Sequence, residues 1–187
     1  MFSTAADLFF KDPLAPPGNP PVVHGVLYLL RRDIRACLGV DNPRCRTLWP
    51  GAMGILAGVD LLAKFYAGDD SVGSVGERFR DFVKEFFKPL SGGGEDVIYQ
   101  LRNALLHSFG LYSKKGARTY RFVLTDEGGR RLILQKKTDE YSIDLLALHR
   151  RFELAVKRYG VRVDKDPKLQ KHFGNLFPNY GSVKVWG

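Results

Sequence analysis

The sequence predicts a mainly α fold: a helical bundle of four to five helices with one β-hairpin inserted before the last helix. Three observations predict it. The stretch ERFRDFVKEFF places Phe and Val on one side at helical spacing. The stretch GAMGILAGVDLLAKFYAG is apolar and rich in small residues, which is typical of a buried helix. Two β-type runs surround the turn signal DEGG in RTYRFVLTDEGGRRLILQKK, which indicates a hairpin at about 118–137.

The elements follow in order along the chain. Pro20 and Pro21 precede the first helix, because proline is favoured where a helix begins. The predicted helices are about Val22 to Leu38, about Gly51 to Tyr66, 77–87, about Glu95 to Tyr112, and 142–160. The chain then divides into a Pro-rich N-terminal extension at 1–20, one helical domain at 21–160 and a basic C-terminal tail at 161–187. A chain of 187 residues is long enough for one well-buried domain.

Charge and composition indicate which kinds of partner the chain can bind. Lys and Arg number 29 against 20 Asp and Glu, a net charge of +9, which favours attraction to polyanions such as RNA. The most apolar stretch is interrupted by Asp60 and Lys64, and a bilayer span takes about 20 apolar residues. We therefore expect a buried helix and no membrane partner. The chain start does not resemble a signal peptide, and Cys37 and Cys45 suit neither a disulfide framework nor a zinc site. The expected location is cytoplasmic.

The candidate catalytic side chains lie in the stretch QLRNALLHSFG. On the predicted helix, Asn103 and His107 are i, i+4 neighbours, whereas Arg102 lies about 140° around the helix from His107. The two would therefore not meet directly, but they can flank a common cleft. Histidine transfers protons near neutral pH, and arginine offers a fixed fork of donors to phosphate oxygens. Asn103 can orient the imidazole. Such a set can cleave RNA without a metal or any other cofactor.

At these residues the sequence resembles a known superfamily. The run RNALLH, Arg102 to His107, is similar to the R-polar-x(3)-H motif of HEPN domains, and the resemblance covers roughly residues 50–160. It implies a helical bundle that forms a homodimer, with the paired motifs making one composite site. Many HEPN proteins are metal-independent endoribonucleases in toxin–antitoxin, defence or RNA-processing systems, whereas others are binding or scaffold domains. By this match, Arg102 and His107 are catalytic and Asn103 fills the polar motif position.

The basic segment after the motif predicts a nucleic-acid surface. Cations that can bind the RNA backbone and an aromatic ring that can stack on bases lie close together there. The predicted binding residues are Lys114, Lys115, Arg118, Arg121 and Tyr112. The alternative is that these charges protect the edge of a hairpin from association.

Other interpretations stay open at this point. The motif residues can be ordinary polar residues at a helix end, where the helix dipole favours a histidine. Asp60, inside an apolar helix, can pair with Arg102 or with its i, i+4 neighbour Lys64, and the sequence favours Lys64. The histidines, cysteines and carboxylates show no metal-ligand spacing. The leading hypothesis is an RNA-cleaving homodimer. Its alternatives are a non-catalytic dimer that binds nucleic acid or a protein, and a toxin component masked by an antitoxin.

Overall fold

The structure is a computed structural model that describes residues 2–16, 22–44, 46–90, 92–129 and 131–185. Within these ranges the chain forms seven α-helices and six β-strands. The helices are α1 (Phe2–Phe9), α2 (Val26–Cys37), α3 (Leu48–Ala67), α4 (Val75–Phe86), α5 (Gly94–Ser108), α6 (Leu145–Lys165) and α7 (Pro167–Tyr180). The strands are β1 (Val22–Gly25), β2 (Tyr112–Lys115), β3 (Arg118–Thr125), β4 (Ile133–Lys137), β5 (Glu140–Asp144) and β6 (Ser182–Val185). The prediction of a mainly α fold is confirmed.

Helix α3 is the centre of the bundle. It packs against α2, α4, α5, α6 and α7, and it buries Ile55, Val59 and Leu62 completely. Glycine allows the closest of these approaches, because a Cβ added at Gly58 would lie only 2.6 Å from the Phe152 ring. The prediction of a buried helix rich in small residues is therefore confirmed.

Among the described residues, α3 is also the one helix long and apolar enough to cross a membrane by length and composition. Half of its most apolar window is buried inside the protein. Five other helices surround it, and the core helix of a soluble protein has the same composition. Its packing therefore makes α3 the core helix of the bundle.

Helical periodicity identifies two further core faces correctly. Helix α4 buries the apolar stripe that its spacing predicts, namely Phe79, Phe82, Val83 and Phe86. Helix α6 does the same with Leu145, Leu148, Phe152 and Val156. Tyr159 of α6 lies in an aromatic cluster with Tyr66 of α3 and with Phe82 and Phe86 of α4. Burial of these rings fixes α3, α4 and α6 against one another.

Helices α1 and α7, near the two ends of the described residues, are part of the bundle, in contrast to the predicted extension and tail. Phe9 of α1 is fully buried against Phe65 of α3 and Phe173 of α7. Helix α6 continues to Lys165, and Asp166 then caps α7 by accepting a hydrogen bond from the Lys168 amide at 2.9 Å. Aromatic side chains distant in sequence thus bury one another. Residues 17–20 of the predicted extension lie outside the described residues.

A two-stranded sheet also joins the ends. Strand β1 pairs antiparallel with β6, and the Val26 amide donates to the Gly181 carbonyl at 3.0 Å. The first helix was predicted from Val22, but 22–25 are the strand β1, and the helix begins at Val26. The local signal missed this strand because its partner lies about 160 residues later in the chain.

The second sheet corrects the predicted hairpin. Its strand order is β2-β3-β5-β4, so β5 separates the two strands that were expected to pair through DEGG. Strand β3 pairs parallel with β5, while β2–β3 and β4–β5 are antiparallel neighbours. The DEGG segment instead connects β3 to β4 across the end of β5, where the Gly129 amide donates to Asp144 Oδ2 at 2.8 Å. Arg130 of this segment lies outside the described residues.

Candidate functional site

Helix α5 presents the motif at its C-terminal half. Its apolar side is buried, as predicted, at Ile98, Leu101, Ala104 and Leu105. Arg102 and Asn103 are half-buried, whereas His107 in the last turn is exposed. The helix ends at Ser108, four residues before the predicted end. Phe109 and Tyr112, which the helical pattern assigned to the apolar side, are exposed instead.

Asp60 of α3 holds the Arg102 guanidinium. Its Oδ2 accepts from Arg102 Nε at 2.8 Å and from Nη2 at 2.5 Å. The two side chains are 18% and 12% exposed, so this charge-assisted pair is largely shielded from water. The expectation that Asp60 pairs with Lys64 is wrong, since the Lys64 ammonium lies 4.5 Å from the centre of the Tyr180 ring. A carboxylate inside an apolar helix recruits a cation from the neighbouring helix because burial makes an unpaired charge costly.

The third guanidinium nitrogen brings the motif together. Arg102 Nη1 donates to Asn103 Oδ1 at 3.2 Å, and it also contacts Nε2 of His107. The expectation that Arg102 and His107 do not meet is therefore wrong, because the long arginine side chain spans the angle between their helix positions. Arginine can only donate, so Nε2 of His107 accepts, and the ring carries its proton on Nδ1.

A cleft of about 380 Å³ opens beside Arg102. Its walls come from α3, from the short 3₁₀ turn Val72–Ser74 with the start of α4, and from α5. The residues that line it are Ala57, Asp60, Leu61, Lys64, Asp70, Val72, Val75, Arg78, Arg102 and Leu106. Its charged lining consists of three cations, Lys64, Arg78 and Arg102, and two carboxylates, Asp60 and Asp70. Asp60 pairs with Arg102, and Arg78 is buried.

A larger cleft of about 670 Å³ lies between α1 and α6. None of the predicted site residues lines it. We therefore assign the candidate site to Arg102, which lines the smaller cleft, and to His107, whose imidazole contacts the same guanidinium.

The structure divides the predicted RNA-binding residues between the two faces of the sheet. Residues opposite each other in an antiparallel pair point to the same face. Lys115 lies opposite Arg118, and both are on the face that carries buried Tyr120. Lys115 donates to Asp96 of α5 at 3.0 Å, and Arg118 donates to the Tyr141 hydroxyl at 2.6 Å. These two cations therefore tie the sheet to the helices and to itself.

The other face of β2 and β3, which we call the open face, carries Tyr112, Lys114 and Arg121. Tyr112 lies opposite Arg121 and is 50% exposed. Lys114 is exposed and makes no hydrogen bond or ion pair with the residues that the structure describes. Arg121 is exposed and 3.4 Å from Asp139, a contact that solvent weakens. Of the five predicted residues, these three are available to a ligand.

Metal chemistry finds no support in the described part of the chain, where no group of three or more His, Cys, Asp or Glu side chains can hold an ion. Cys37 is a half-buried free thiol, and Cys45 lies outside the described residues. Comparison of the chain with protein-family models, curated proteins and solved structures finds no match.

Two features near the motif were predicted wrongly from the sequence: the partner of Asp60 and the exposure of Phe109. Asp60 was considered as the partner of Arg102 and rejected, although a carboxylate in an apolar helix was a usable signal. Phe109 was assigned to the buried side of the helix. No local signal places it outside, because the glycine that marks the end of a helix comes one residue later, at Gly110.

Proposed function

We propose that this protein is a HEPN-like, metal-independent endoribonuclease that acts as a homodimer in the cytoplasm. The observation that carries the proposal is the shared position of Arg102 and His107. Asp60 holds two guanidinium nitrogens, and the third, Nη1, meets the exposed imidazole at Nε2. A phosphate that enters between them would receive hydrogen bonds from Nη1 and would free Nε2 to accept a proton.

The reaction is a transfer within the RNA strand. His107 Nε2 takes the proton of the 2′-OH, and the 2′-oxygen then forms a bond to the adjacent phosphorus. Arg102 Nη1 stabilises the additional negative charge on the phosphate as the bond to the 5′-oxygen breaks. Asn103 keeps the guanidinium directed at the phosphate through its Oδ1. The products are a 2′,3′-cyclic phosphate and a 5′-OH.

The leaving 5′-oxygen needs a proton, and α5 has one histidine. A second copy of the chain that brings its own motif to the same cleft would supply a second imidazole as the acid and a second guanidinium. This requirement supports the dimer that the HEPN resemblance implies. A toxin whose antitoxin covers the cleft is compatible with the same chemistry.

One observation favours a second candidate, a non-catalytic dimer that binds nucleic acid or a protein. Asp60 offsets the charge of Arg102, and Arg102 occupies Nε2 of His107 within a single subunit. Hydrogen bonds satisfied in this way within one subunit can also stabilise the end of α5 without any chemistry. In that case the open face would retain RNA while the motif does not cleave it.

The deciding experiment is digestion of RNA in the presence of a chelator. We expect His107→Ala and Arg102→Ala each to lower cleavage about 10²-fold or more, because each removes a proton acceptor or a donor to the transition state. Arg32→Ala is the matched control, since Arg32 is exposed on α2 and pairs with its neighbour Asp33. The products should carry 2′,3′-cyclic ends. Unchanged cleavage in both variants, or a need for a divalent ion, would overturn the proposal.

A further inference from the structure

Phe109 adopts a backbone conformation that side chains disfavour. It ends α5 with φ 46° and ψ 37°, in the left-handed region. Among the described residues it is the one non-glycine with a positive φ, while glycine occupies every other such position: Gly39, Gly68, Gly93, Gly116 and Gly128. The described chain therefore has glycine at every other position with a positive φ. It places a side chain in this disfavoured conformation only two residues after His107.

The Phe109 side chain is also in an unfavourable place. It is 70% exposed, and its ring makes no aromatic or cation–π contact with the described residues. Gly110 follows directly and could hold a positive φ at no steric cost, yet it does not adopt one. The exposed apolar ring and the strained backbone are two separate unfavourable features of the same residue. Such violations are concentrated where function requires them.

The surroundings of Phe109 indicate what the ring contacts. Adjacent Cα atoms lie about 3.8 Å apart, so the Cα atoms of His107 and Phe109 are at most about 7.6 Å apart. On the other side, the Leu111 carbonyl accepts from the Phe122 amide at 2.9 Å and fixes the chain onto β3. Tyr112 then begins the open face with Lys114 and Arg121 beside it. Two exposed aromatic rings thus lie between the phosphate-binding motif and a cationic face.

We propose that Phe109 stacks on an unpaired base next to the phosphate bound by Arg102, and that Tyr112 stacks on a further base along the open face. The proposal rests on the proposed function and narrows its substrate to single-stranded RNA. Every base has an apolar face, so stacking provides affinity without sequence specificity, while the cations bind the backbone. This combination of rings and cations favours RNA over an apolar surface of a second copy.

The test uses two single-stranded probes with equal numbers of phosphates. One is a 2′-O-methyl oligouridylate, which has no free 2′-OH and is not cleaved, and the other is the same strand without bases. We expect Phe109→Ala to weaken binding of the first about 5- to 150-fold, the effect of one lost base stack, and to leave binding of the second unchanged. Phe109→Trp should restore binding. Leu154→Ala is the control, since Leu154 is 42% exposed on α6 and lines the larger cleft, not the one beside Arg102.

Phe109→Gly separates the ring from the backbone. Glycine relieves the left-handed strain, so this variant should unfold at a higher temperature than the parent and still bind the oligouridylate as weakly as Phe109→Ala. Equal binding of the oligouridylate by the parent and Phe109→Ala would overturn the inference. So would a shift of Phe109→Ala from dimer to monomer in sedimentation, because the ring would then contact a second copy.

The two proposals fail in different ways. If His107→Ala and Arg102→Ala both cleave RNA normally, the proposed function is wrong, whereas the uncleaved probe still measures stacking on Phe109. If His107→Ala is inactive but Phe109→Ala binds both probes as the parent does, the ribonuclease proposal stands and the stacking inference falls.

Discussion

Two sets of arginine, carboxylate and histidine among the described residues differ in whether solvent reaches the histidine. One set joins Arg31 of α2 to Glu153 and His149 of α6. The other joins Arg102 of α5 to Asp60 of α3 and to His107. Both use the same chemical groups, and both fix one helix against another.

The first set is closed. Arg31 Nε and Nη2 donate to Glu153, the latter at 2.5 Å, and Nη1 donates to the Lys11 carbonyl at 3.0 Å. Arg31 and His149 are 9% and 7% exposed. Burial is the main reason that the pKa of His149 lies below its ordinary value. With every guanidinium nitrogen engaged and a ring shielded from solvent, this set is structural.

The second set is open to solvent at its histidine, since His107 is exposed. Asp60 engages Nε and Nη2 of Arg102, as Glu153 does for Arg31, but Nη1 faces an exposed imidazole instead of a backbone carbonyl. Because both sets contain the same residue types, residue type alone does not identify a functional site. What distinguishes the candidate site is that the third guanidinium nitrogen contacts a histidine that a ligand can reach.

Breaking the closed set should have the largest effect. Arg31→Met leaves Glu153 with an uncompensated, largely buried charge, so we expect the free energy of unfolding to fall by about 3–5 kcal/mol. Urea unfolding measures this loss. The double variant Arg31→Met/Glu153→Gln should recover part of the stability, because it removes the stranded charge. RNA cleavage per folded molecule should not change, and a specific loss of cleavage would contradict the structural role.

Changing the carboxylate of the open set should affect rate more than folding. Asp60→Asn keeps the shape of the side chain but weakens two charge-assisted hydrogen bonds, which costs about 1–3 kcal/mol in positioning Arg102. We expect kcat to fall about 5- to 150-fold, while KM stays equal or decreases because the guanidinium charge is no longer offset. Asp33→Asn, in an exposed pair on α2, is the matched control. A kcat equal to that of the parent would show that Asp60 does not position Arg102.

The sequence predicts the parts of the fold that local periodicity determines. The stripes of α4 and α6 are correct because their apolar residues recur at helical spacing. The last three residues of strand β5, Ser142 to Asp144, were assigned to the last helix, because this part of the strand is buried without alternation and runs directly into α6. The positions of Phe9 and Phe173 depend on each other across most of the chain, and no local pattern contains that contact.

The site was predictable to a similar extent. Arg102, Asn103 and His107 follow from one short motif, and the structure brings them together. The partner of Asp60 was not predictable in this way, because the local neighbour Lys64 offered a plausible ion pair 4 residues away, whereas Arg102 lies 42 residues away. Lys114 and Lys115 are adjacent in sequence and differ in role because a strand directs them to opposite faces.

Lowering the pH should decrease the stability of the protein through His149 of the closed set. Burial lowers the pKa of His149 from 6.5, Glu153 opposes this shift, and the positive charges of nearby arginines add to it. Between the lowered value and about 6.5 the unfolded chain binds a proton that the folded chain does not, so stability decreases as pH falls through that window. Above the window this histidine contributes no pH dependence. His149→Gln should flatten the decrease in urea midpoint below about pH 6.5, and an unaltered decrease would show that His149 does not cause it.

The smallest expected effect is a change in the salt dependence of RNA binding. It distinguishes two adjacent lysines, one without a partner and one in an ion pair. Lys114 on the open face has no partner among the described residues, whereas Lys115 donates to Asp96 at 3.0 Å. If Lys114 contacts one phosphate, Lys114→Ala should reduce the slope of log binding constant against log salt by about 0.7, the value for single strands. Lys115→Ala should leave that slope unchanged and lower stability by about 0.2–1 kcal/mol, since its ion pair is exposed. Titration of the 2′-O-methyl oligouridylate over a range of salt concentrations measures both slopes. Equal slopes for the two variants would mean that strand face does not decide which cations bind RNA.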